Sequence, residues 1–463
     1  MNILYIGGGF VGACSAAVSA DSGHNTLVFD IDTEKIAAFA SLDKTRIESY
    51  LHEKELAEMC AQHADHLRFT SDYQEVFAFL DTCDAVFMCL PTPEIGETGE
   101  SNLTYYTAAA EQLAVALAKR NGGAQQKYVV IVNKSTVPID MIDMTKELLM
   151  KAGVTNFGVV SNPEFLVEGK AIEGSIRPDR VVVGAESEQD FGIMRNIYNR
   201  FYTSSTVGYL EVSPKEAAAG KLLANYYLFS KLAQCFDVIG RTCEAFDDVT
   251  FENVRSIITA DKRISNWGFY NSLYAGGSCL IKDARSLSHQ LQTAGKVSSL
   301  VNETYLANKR QLELFLSRPE TEAGFDWQGK TVALLGLAFK QDTNDTRNSP
   351  SLDIVRFLQE KRVKEVRLYD PVANDMFGMD FPASEQLVYM ADIRSATMHA
   401  DVVIIATDWP QFRQVAEVLL ALPEKNALIM DGRRMLQHRY DELQKAGFSL
   451  IAVGSPFLGI TNN

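Results

Sequence analysis

At 463 residues, 46% hydrophobic and 22% charged, the chain is too long for one core and has the make-up of a two- or three-domain globular protein, which excludes a disordered or fibrous one. A formal net charge of -15 argues against nucleic acid as a partner, since phosphate would meet a repulsive field, and means that an anionic small substrate needs a local basic pocket. No apolar run reaches the roughly 20 residues of a membrane span, and the N-terminus opens directly on a glycine motif, so no membrane partner and a cytoplasmic location are expected. The seven cysteines (Cys14, Cys60, Cys83, Cys89, Cys235, Cys243 and Cys279) are scattered, with no CxxC pair and no nearby histidines. Neither a disulfide framework nor a metal site is expected.

Along the chain, short apolar runs at residues 2–6, 26–30, 85–90, 128–133, 157–160 and 180–183 alternate with helical patterns. This predicts a doubly wound, mostly parallel α/β sheet over residues 1–205, covered on both faces. Ser213-Pro214-Lys215-Glu216 reads as a helix start, with Ser213 as N-cap and Glu216 closing a capping box. One long helix to about Phe246 then serves as a spine and, with a helical segment after Asp283, makes a central helical domain over 206–320. Residues 321–329, polar except for Trp327, read as a linker. Runs at 331–335, 365–369, 401–406 and 427–430 predict a second parallel sheet in a domain over 321–463.

Gly7-Gly8-Gly9-Phe10-Val11-Gly12 follows the first strand and precedes a helical run, the context of a GxGxxG dinucleotide turn. Gly7, Gly9 and Gly12 suit the tight turn, the approach of a pyrophosphate and close helix packing, and the helix start at Phe10 and Val11 offers N–H groups to phosphate. Asp30 closes the second strand, where a carboxylate accepts from a ribose diol and repels a 2'-phosphate, which favours NAD over NADP. The arrangement predicts a Rossmann-like fold for the first domain.

Cys279 sits in Ala275-Gly276-Gly277-Ser278-Cys279-Leu280-Ile281-Lys282-Asp283. The two glycines remove side chains that would block a substrate, and a helix start nearby favours a thiolate; a buried structural cysteine beside a glycine turn is the alternative. Lys221 and Asn225, four apart on the long helix, are either an oxyanion-stabilising pair or a solvated lysine beside a polar neighbour. Asn162-Pro163-Glu164-Phe165-Leu166-Val167-Glu168 follows a strand end, where α/β sheets place ligands, and helical spacing would turn Glu164 and Glu168 to one site. Ser135-Thr136-Val137-Pro138 adds two hydroxyls at another strand end.

Together these residues resemble the UDP-glucose/GDP-mannose dehydrogenase family, most closely its UDP-glucose 6-dehydrogenase branch. GGGFVG, VFDIDTEKI, STVP, SNPEFLVEG, KLLAN, GGSCLIKD, LLGLAFKQDTNDTR and DGRR occur in the family's order over nearly the whole chain. The resemblance implies two Rossmann-like domains joined by the helical one, with the third holding the nucleotide of a nucleotide-sugar substrate. It also implies Cys279 as nucleophile, Lys221 and Asn225 as oxyanion partners, and Asp283, Thr136 and Glu164 as the groups that handle water. Lys35, Thr92, Ser135, Glu168 and Arg347 match NAD-contacting positions. Phe165, Leu166, Arg263, Gly276, Phe339, Lys340 and Arg433 match positions that bind the nucleotide sugar. In the family the counterpart of Arg263 reaches into a neighbouring subunit's site, so a homodimer is the smallest expected unit. Tyr274-Ala275 stands where members usually carry a Gly-aromatic pair, and Leu280-Ile281 where Phe-Pro or Leu-Pro is common.

The implied chemistry oxidises a C6 alcohol twice, through a Cys279 thiohemiacetal and thioester, without a metal. UDP-glucose is the expected substrate; a UDP-N-acetylhexosamine or GDP-mannose would undergo the same chemistry. A one-step hydroxyacid-type dehydrogenase is the nearest rival, but it needs neither a third domain nor Cys279. A non-catalytic NAD sensor, the rival from another class, would not need every candidate catalytic side chain.

Overall fold

The computed structural model describes residues 1–120, 127–277 and 279–459. The chain divides into two compact units, one of residues 1–224 with 289–295 and the other of residues 225–288 with 296–463.

The first unit is built on eight strands: β1 (Asn2–Ile6), β2 (Asn25–Phe29), β3 (Leu67–Thr70), β4 (Ala85–Met88), β5 (Val129–Asn133), β6 (Phe157–Ser161), β7 (Arg180–Gly184) and β8 (Gly208–Val212). They lie in the order β3-β2-β1-β4-β5-β6-β7-β8. The ladder is parallel except where β7 meets β6, joined at Ser161 and Gly184. Val130 and Val132 on β5 turn to one core with Tyr5, Ala13 and Val160, while Val129 and Ile131 turn to the other with Leu4, Val86 and Leu113. Burial on both faces explains the unbroken apolar run in the sequence. Each fully buried aliphatic side chain stabilises such a core by about 1.5–3 kcal/mol. The strand order reverses between β1 and β4, and at such a reversal a crevice opens outside the carboxyl ends of the strands.

The second unit repeats the plan with six strands: β9 (Thr331–Leu335), β10 (Glu365–Tyr369), β11 (Leu387–Tyr389), β12 (Val402–Ile405), β13 (Leu428–Asp431) and β14 (Ser449–Ala452). All pairs are parallel, in the order β11-β10-β9-β12-β13-β14.

The helix from Pro214 starts with the expected capping box: Ser213 N–H donates to Glu216 at 2.8 Å, and Glu216 N–H to the Ser213 hydroxyl at 3.4 Å. Helical structure runs to Ala245, but Cys235–Gly240 widens into a π-helix, and the division between the units falls between Ala224 and Asn225. The expected linker is corrected. Helix Ser299–Ala323 runs through Pro319 and ends at Gly324, and Trp327 is buried in T-shaped contact with Phe325 and Phe357. The one aromatic in that polar stretch therefore anchors it to the second unit's core.

Among the described residues no helix is long and apolar enough to cross a membrane, and no group of three or more His, Cys, Asp or Glu side chains could hold a metal ion.

Candidate active site

At the carboxyl end of β1 the glycine turn leads into helix Phe10–Asp21, with Phe10 and Val11 packed against the first core. A Cβ at Gly12 would lie 1.8 Å from the Gly7 carbonyl oxygen, so only glycine lets the helix approach the turn this closely. Gly9 is different: a Cβ there would meet nothing within 4 Å. Gly9 is also the N-cap, with no side-chain cap and no acidic residue in the first turn. An open space before uncapped N–H groups fits a dinucleotide pyrophosphate.

Asp30 follows β2 and is already organised. One oxygen accepts from Gly8 N–H at 2.7 Å and from the Lys35 ammonium at 3.1 Å, the other from Asp32 N–H at 3.0 Å. A 2'-phosphate would thus face a carboxylate paired with Lys35, not an unpaired one. In the second unit Asp370, after β10, accepts from Leu337 and Ala338 N–H and from the Trp409 indole, and is buried. At that reversal point the carboxylate is consumed by the protein itself.

The ends of β4 and β5 are stitched together. The Thr92 hydroxyl donates to the Thr136 carbonyl at 2.7 Å, and the Ser135 hydroxyl donates to the Leu90 carbonyl and accepts from Leu90 N–H. Both hydroxyls hold the loop that carries Thr136, whose own side chain is half-buried.

The expectation that Glu164 and Glu168 share a helical face is overturned, because residues 162–168 are not helical. Pro163 removes an N–H, and the Glu164 carboxylate folds back to accept from Leu166 N–H at 2.5 Å. Glu168 lies half-buried in the following turn. Glu164 instead meets Lys221, at 3.1 Å, with only 10% and 5% of their side chains exposed. Lys221 is therefore not the solvated lysine of the plainer reading. Burial pushes the Glu164 carboxyl up, but Lys221, the Leu166 N–H and Lys134 outweigh it and hold it below the ordinary carboxylate range. Phe165 lies beside the pair, with the Lys221 ammonium 5.3 Å and the Arg180 guanidinium 3.7 Å from its ring centre.

Lys134 was not singled out from the sequence. It is buried between the end of β5 and Ser135, donating to Asn162 at 3.0 Å and to the Tyr198 hydroxyl at 3.4 Å. A lysine placed directly after a fully buried strand is the signal that could have found it.

In the second unit, Cys279 opens helix Cys279–Thr293 and is exposed, whereas the other six cysteines are buried. One turn on, buried Asp283 accepts from the Asn225 amide at 2.6 Å and from Lys282 at 2.6 Å. The protein itself also leaves no room for a side chain at the preceding glycines. A Cβ on Gly276 would lie 2.5 Å from the Asn348 carbonyl oxygen; Gly277, at φ +82°, would set one 2.9 Å from the Phe339 ring. Ser278 lies outside the described residues. Tyr274 and Ala275 turn into separate cores, the Tyr274 hydroxyl donating to Asp353 at 3.3 Å.

Phe339 and Lys340 follow β9, the Lys340 ammonium lying 5.6 Å from the Phe339 ring centre. Arg433 follows β13 and is held by the Ser272 hydroxyl at 2.6 Å and Asp408 at 2.8 Å. Arg263 is exposed and paired with Asp261; Arg347 is paired in the same way with Asp345.

Residues 1–202 match the NAD binding domain of the UDP-glucose/GDP-mannose dehydrogenase family, residues 215–310 its central domain and residues 333–438 its UDP binding domain. Among curated proteins the chain is 32% identical to a UDP-glucose 6-dehydrogenase of Pseudomonas aeruginosa, over 99% of this chain and 98% of that protein. It is also 32% identical to the UDP-glucose 6-dehydrogenase TuaD of Bacillus subtilis, over 98% of this chain and 93% of that one. Among solved structures, a UDP-glucose dehydrogenase from the archaeon Pyrobaculum islandicum superposes with a TM-score of 0.84 at 26% identity, covering 95% of each chain. With all three domains matched in order, the chain belongs to the UDP-glucose/GDP-mannose dehydrogenase family.

Proposed function

We propose that this chain is an NAD-dependent nucleotide-sugar 6-dehydrogenase that oxidises the C6 alcohol to a carboxylate in two steps, with UDP-glucose as its substrate and UDP-glucuronate as its product. It acts in the cytoplasm as a homodimer or a higher homo-oligomer. The observation that carries this reading is the contrast among the cysteines: only Cys279 is exposed, at a helix start with a buried carboxylate one turn away. Two UDP-glucose 6-dehydrogenases at 32% identity over almost the whole chain support the substrate.

Gly9 and the start of its helix hold the NAD pyrophosphate, and Asp30 takes the ribose diol. Two NAD molecules, bound there in turn, would each supply the acceptor for one hydride. Lys35, Thr92, Ser135, Glu168 and Arg347 complete the cofactor contacts, and the nucleotide sugar is held by Arg263, Phe339, Lys340 and Arg433 with Phe165, Leu166 and Gly276. Cys279 Sγ adds to the aldehyde carbon made by the first oxidation, forming a C–S bond and an oxyanion that the Lys221 ammonium and the Asn225 amide stabilise. The thiohemiacetal carbon keeps one hydrogen, whose removal in the second oxidation leaves a thioester. Thr136 and Asp283 position a water, Glu164 takes its proton as the water oxygen bonds to the thioester carbon, the C–S bond then breaks with the electron pair going to sulfur, and the acid leaves with the Cys279 thiolate regenerated.

The test is NADH formation from UDP-glucose, UDP-N-acetylglucosamine, UDP-galactose and GDP-mannose at equal concentration. UDP-glucose is expected to give the highest kcat/KM. Faster turnover of another sugar would replace the substrate, and no NADH from any would remove the activity.

A further inference from the structure

The mechanism leaves the buried Lys134 without a task. Lys134 is buried, yet it donates hydrogen bonds to Asn162 and Tyr198, which are both neutral. Asn162 is fixed in turn, accepting from the Tyr198 hydroxyl at 2.6 Å and donating to the Val182 carbonyl at 2.7 Å. A buried ammonium served only by neutral partners is expensive, and a methionine would fill the space without that cost.

Four charged or titratable groups act on Lys134, from the elements around it: Cys89 after β4, Glu164 after β6, Lys221 on the long helix and Tyr198 at the end of helix Glu188–Ile197. Burial pushes Lys134 down to about 8, and Burial pushes the Cys89 thiol up to about 12, so Cys89 is neutral at physiological pH. Glu164 is thus the one carboxylate among these groups, under the field of two ammonium groups. Lys221 touches it directly and, in the reaction proposed above, must also meet the substrate oxyanion. At the moment Glu164 has to act as a base, its nearest counter-charge is drawn to another anion.

We propose that Lys134 is a positioning residue for thioester hydrolysis, whose buried ammonium keeps Glu164 a carboxylate while Lys221 is engaged by the substrate. Lys134 and Glu164 lie on the wall of one cavity of about 320 Å³, within the first unit, which also borders exposed Lys170 and Arg177. An open cavity beside the ammonium makes Lys134→Arg the conservative replacement to test. The inference rests on the covalent mechanism proposed above.

The test compares Lys134→Met and Lys134→Arg with wild type, using full-length enzyme, UDP-glucose and NAD. Rapid quench and intact mass follow formation and decay of the Cys279 acyl-enzyme as a function of pH. Lys134→Met is expected to form the acyl-enzyme but to show the acid limb of its decay moved up by about one pH unit, since an opposite charge near a carboxyl lowers its pKa by roughly that much or more. The acyl-enzyme then accumulates several-fold more on that limb, and Lys134→Arg restores the wild-type position. An unmoved limb in Lys134→Met would overturn the proposal, as would an Arg variant that shifts as far as the Met variant. Loss of acyl-enzyme formation in either variant overturns it too, by placing Lys134 in folding or oxidation. A wild type that never forms the adduct would instead remove the covalent mechanism itself.

Discussion

The Lys221 ammonium lies 3.1 Å from the Glu164 carboxylate, and both side chains are almost wholly buried in the first unit. Each charge depends on the other, because removing one partner of a buried pair strands the survivor. Lys221→Met is therefore expected to destabilise the protein by about 3–5 kcal/mol at pH 7, measured by urea unfolding. The pH dependence has a definite sign. Glu164 is held below its ordinary value when folded, so in wild type it contributes stability above the unfolded value of about 4.3, lost as pH falls through the folded value. Without Lys221 only the Leu166 N–H and Lys134 oppose burial and the folded value rises, so protonation relieves part of the charge left behind. The difference between variant and wild type should shrink from pH 7 towards pH 5; a gap independent of pH would remove the electrostatic account.

Asp30 and Lys35 make a second pair, 3.1 Å apart at the carboxyl end of β2. Wild type is expected to use NAD far better than NADP, because the carboxylate suits the ribose diol and occupies the Lys35 ammonium. Asp30→Ser should release Lys35 to a 2'-phosphate and shift the NAD/NADP ratio of kcat/KM towards NADP by about tenfold or more, some 1.4 kcal/mol. The same variant removes the acceptor for Gly8 N–H, so some loss of NAD activity should accompany the shift. An unchanged ratio would show that Asp30 does not set the preference.

Arg263 folds back on Asp261, and Arg347 repeats the arrangement on Asp345, each guanidinium bonded to a carboxylate two residues earlier. With 89% of its side chain exposed, Arg263 has little to lose in stability, and Arg263→Ala should change unfolding by no more than about 0.5 kcal/mol. Its effect should fall on kcat/KM for the nucleotide sugar. If Arg263 serves a neighbouring subunit, mixing Arg263→Ala with Cys279→Ala protein and allowing exchange should restore about a quarter of wild-type activity, because half the dimers then hold one intact site. No recovery after confirmed exchange would place Arg263 in its own subunit's site or in none.

Most of the fold could be read from apolar runs buried on both sheet faces, and the four strands that escaped share a position, although β14 buries Leu450, Ile451 and Ala452. The strands not anticipated, β3, β8, β11 and β14, are the edge strands of the two sheets. An edge strand is shielded on one flank only; β8 buries none of its five residues below the level of partial exposure, so Gly208–Val212 carries no apolar run to read. The site was legible where its chemistry is local, as in the glycine turn with Asp30 or in Cys279 with Asp283. It was not legible where the chain reverses: Pro163 and the folded-back Glu164 break the helical spacing that would have joined Glu164 to Glu168, and Lys221 supplies the partner from 57 residues away. Lys134 went unnoticed because a lone lysine after a strand is ordinarily a solvated end, and only burial shows otherwise.

The covalent step separates this reading from every single-oxidation rival, and Cys279 is the place to test it. Wild type should form two NADH for each sugar acid released, since both hydrides leave the same carbon. Cys279→Ala should bind NAD and the nucleotide sugar with little change, because the exposed side chain supports no core, yet make acid at a rate lower by several orders of magnitude. The aldehyde then has no thiolate to turn it back into a hydride donor. Cys279→Ser is the more discriminating variant: a hydroxyl is far less acidic than a thiol, so addition slows, and an ester hydrolyses more slowly than a thioester. Intact mass should therefore find the sugar acid bound to Ser variant protein, with the adduct lying in the peptide that contains position 279. Near wild-type acid production by the alanine variant would remove Cys279 from the mechanism, whatever the fate of the cofactor and substrate assignments.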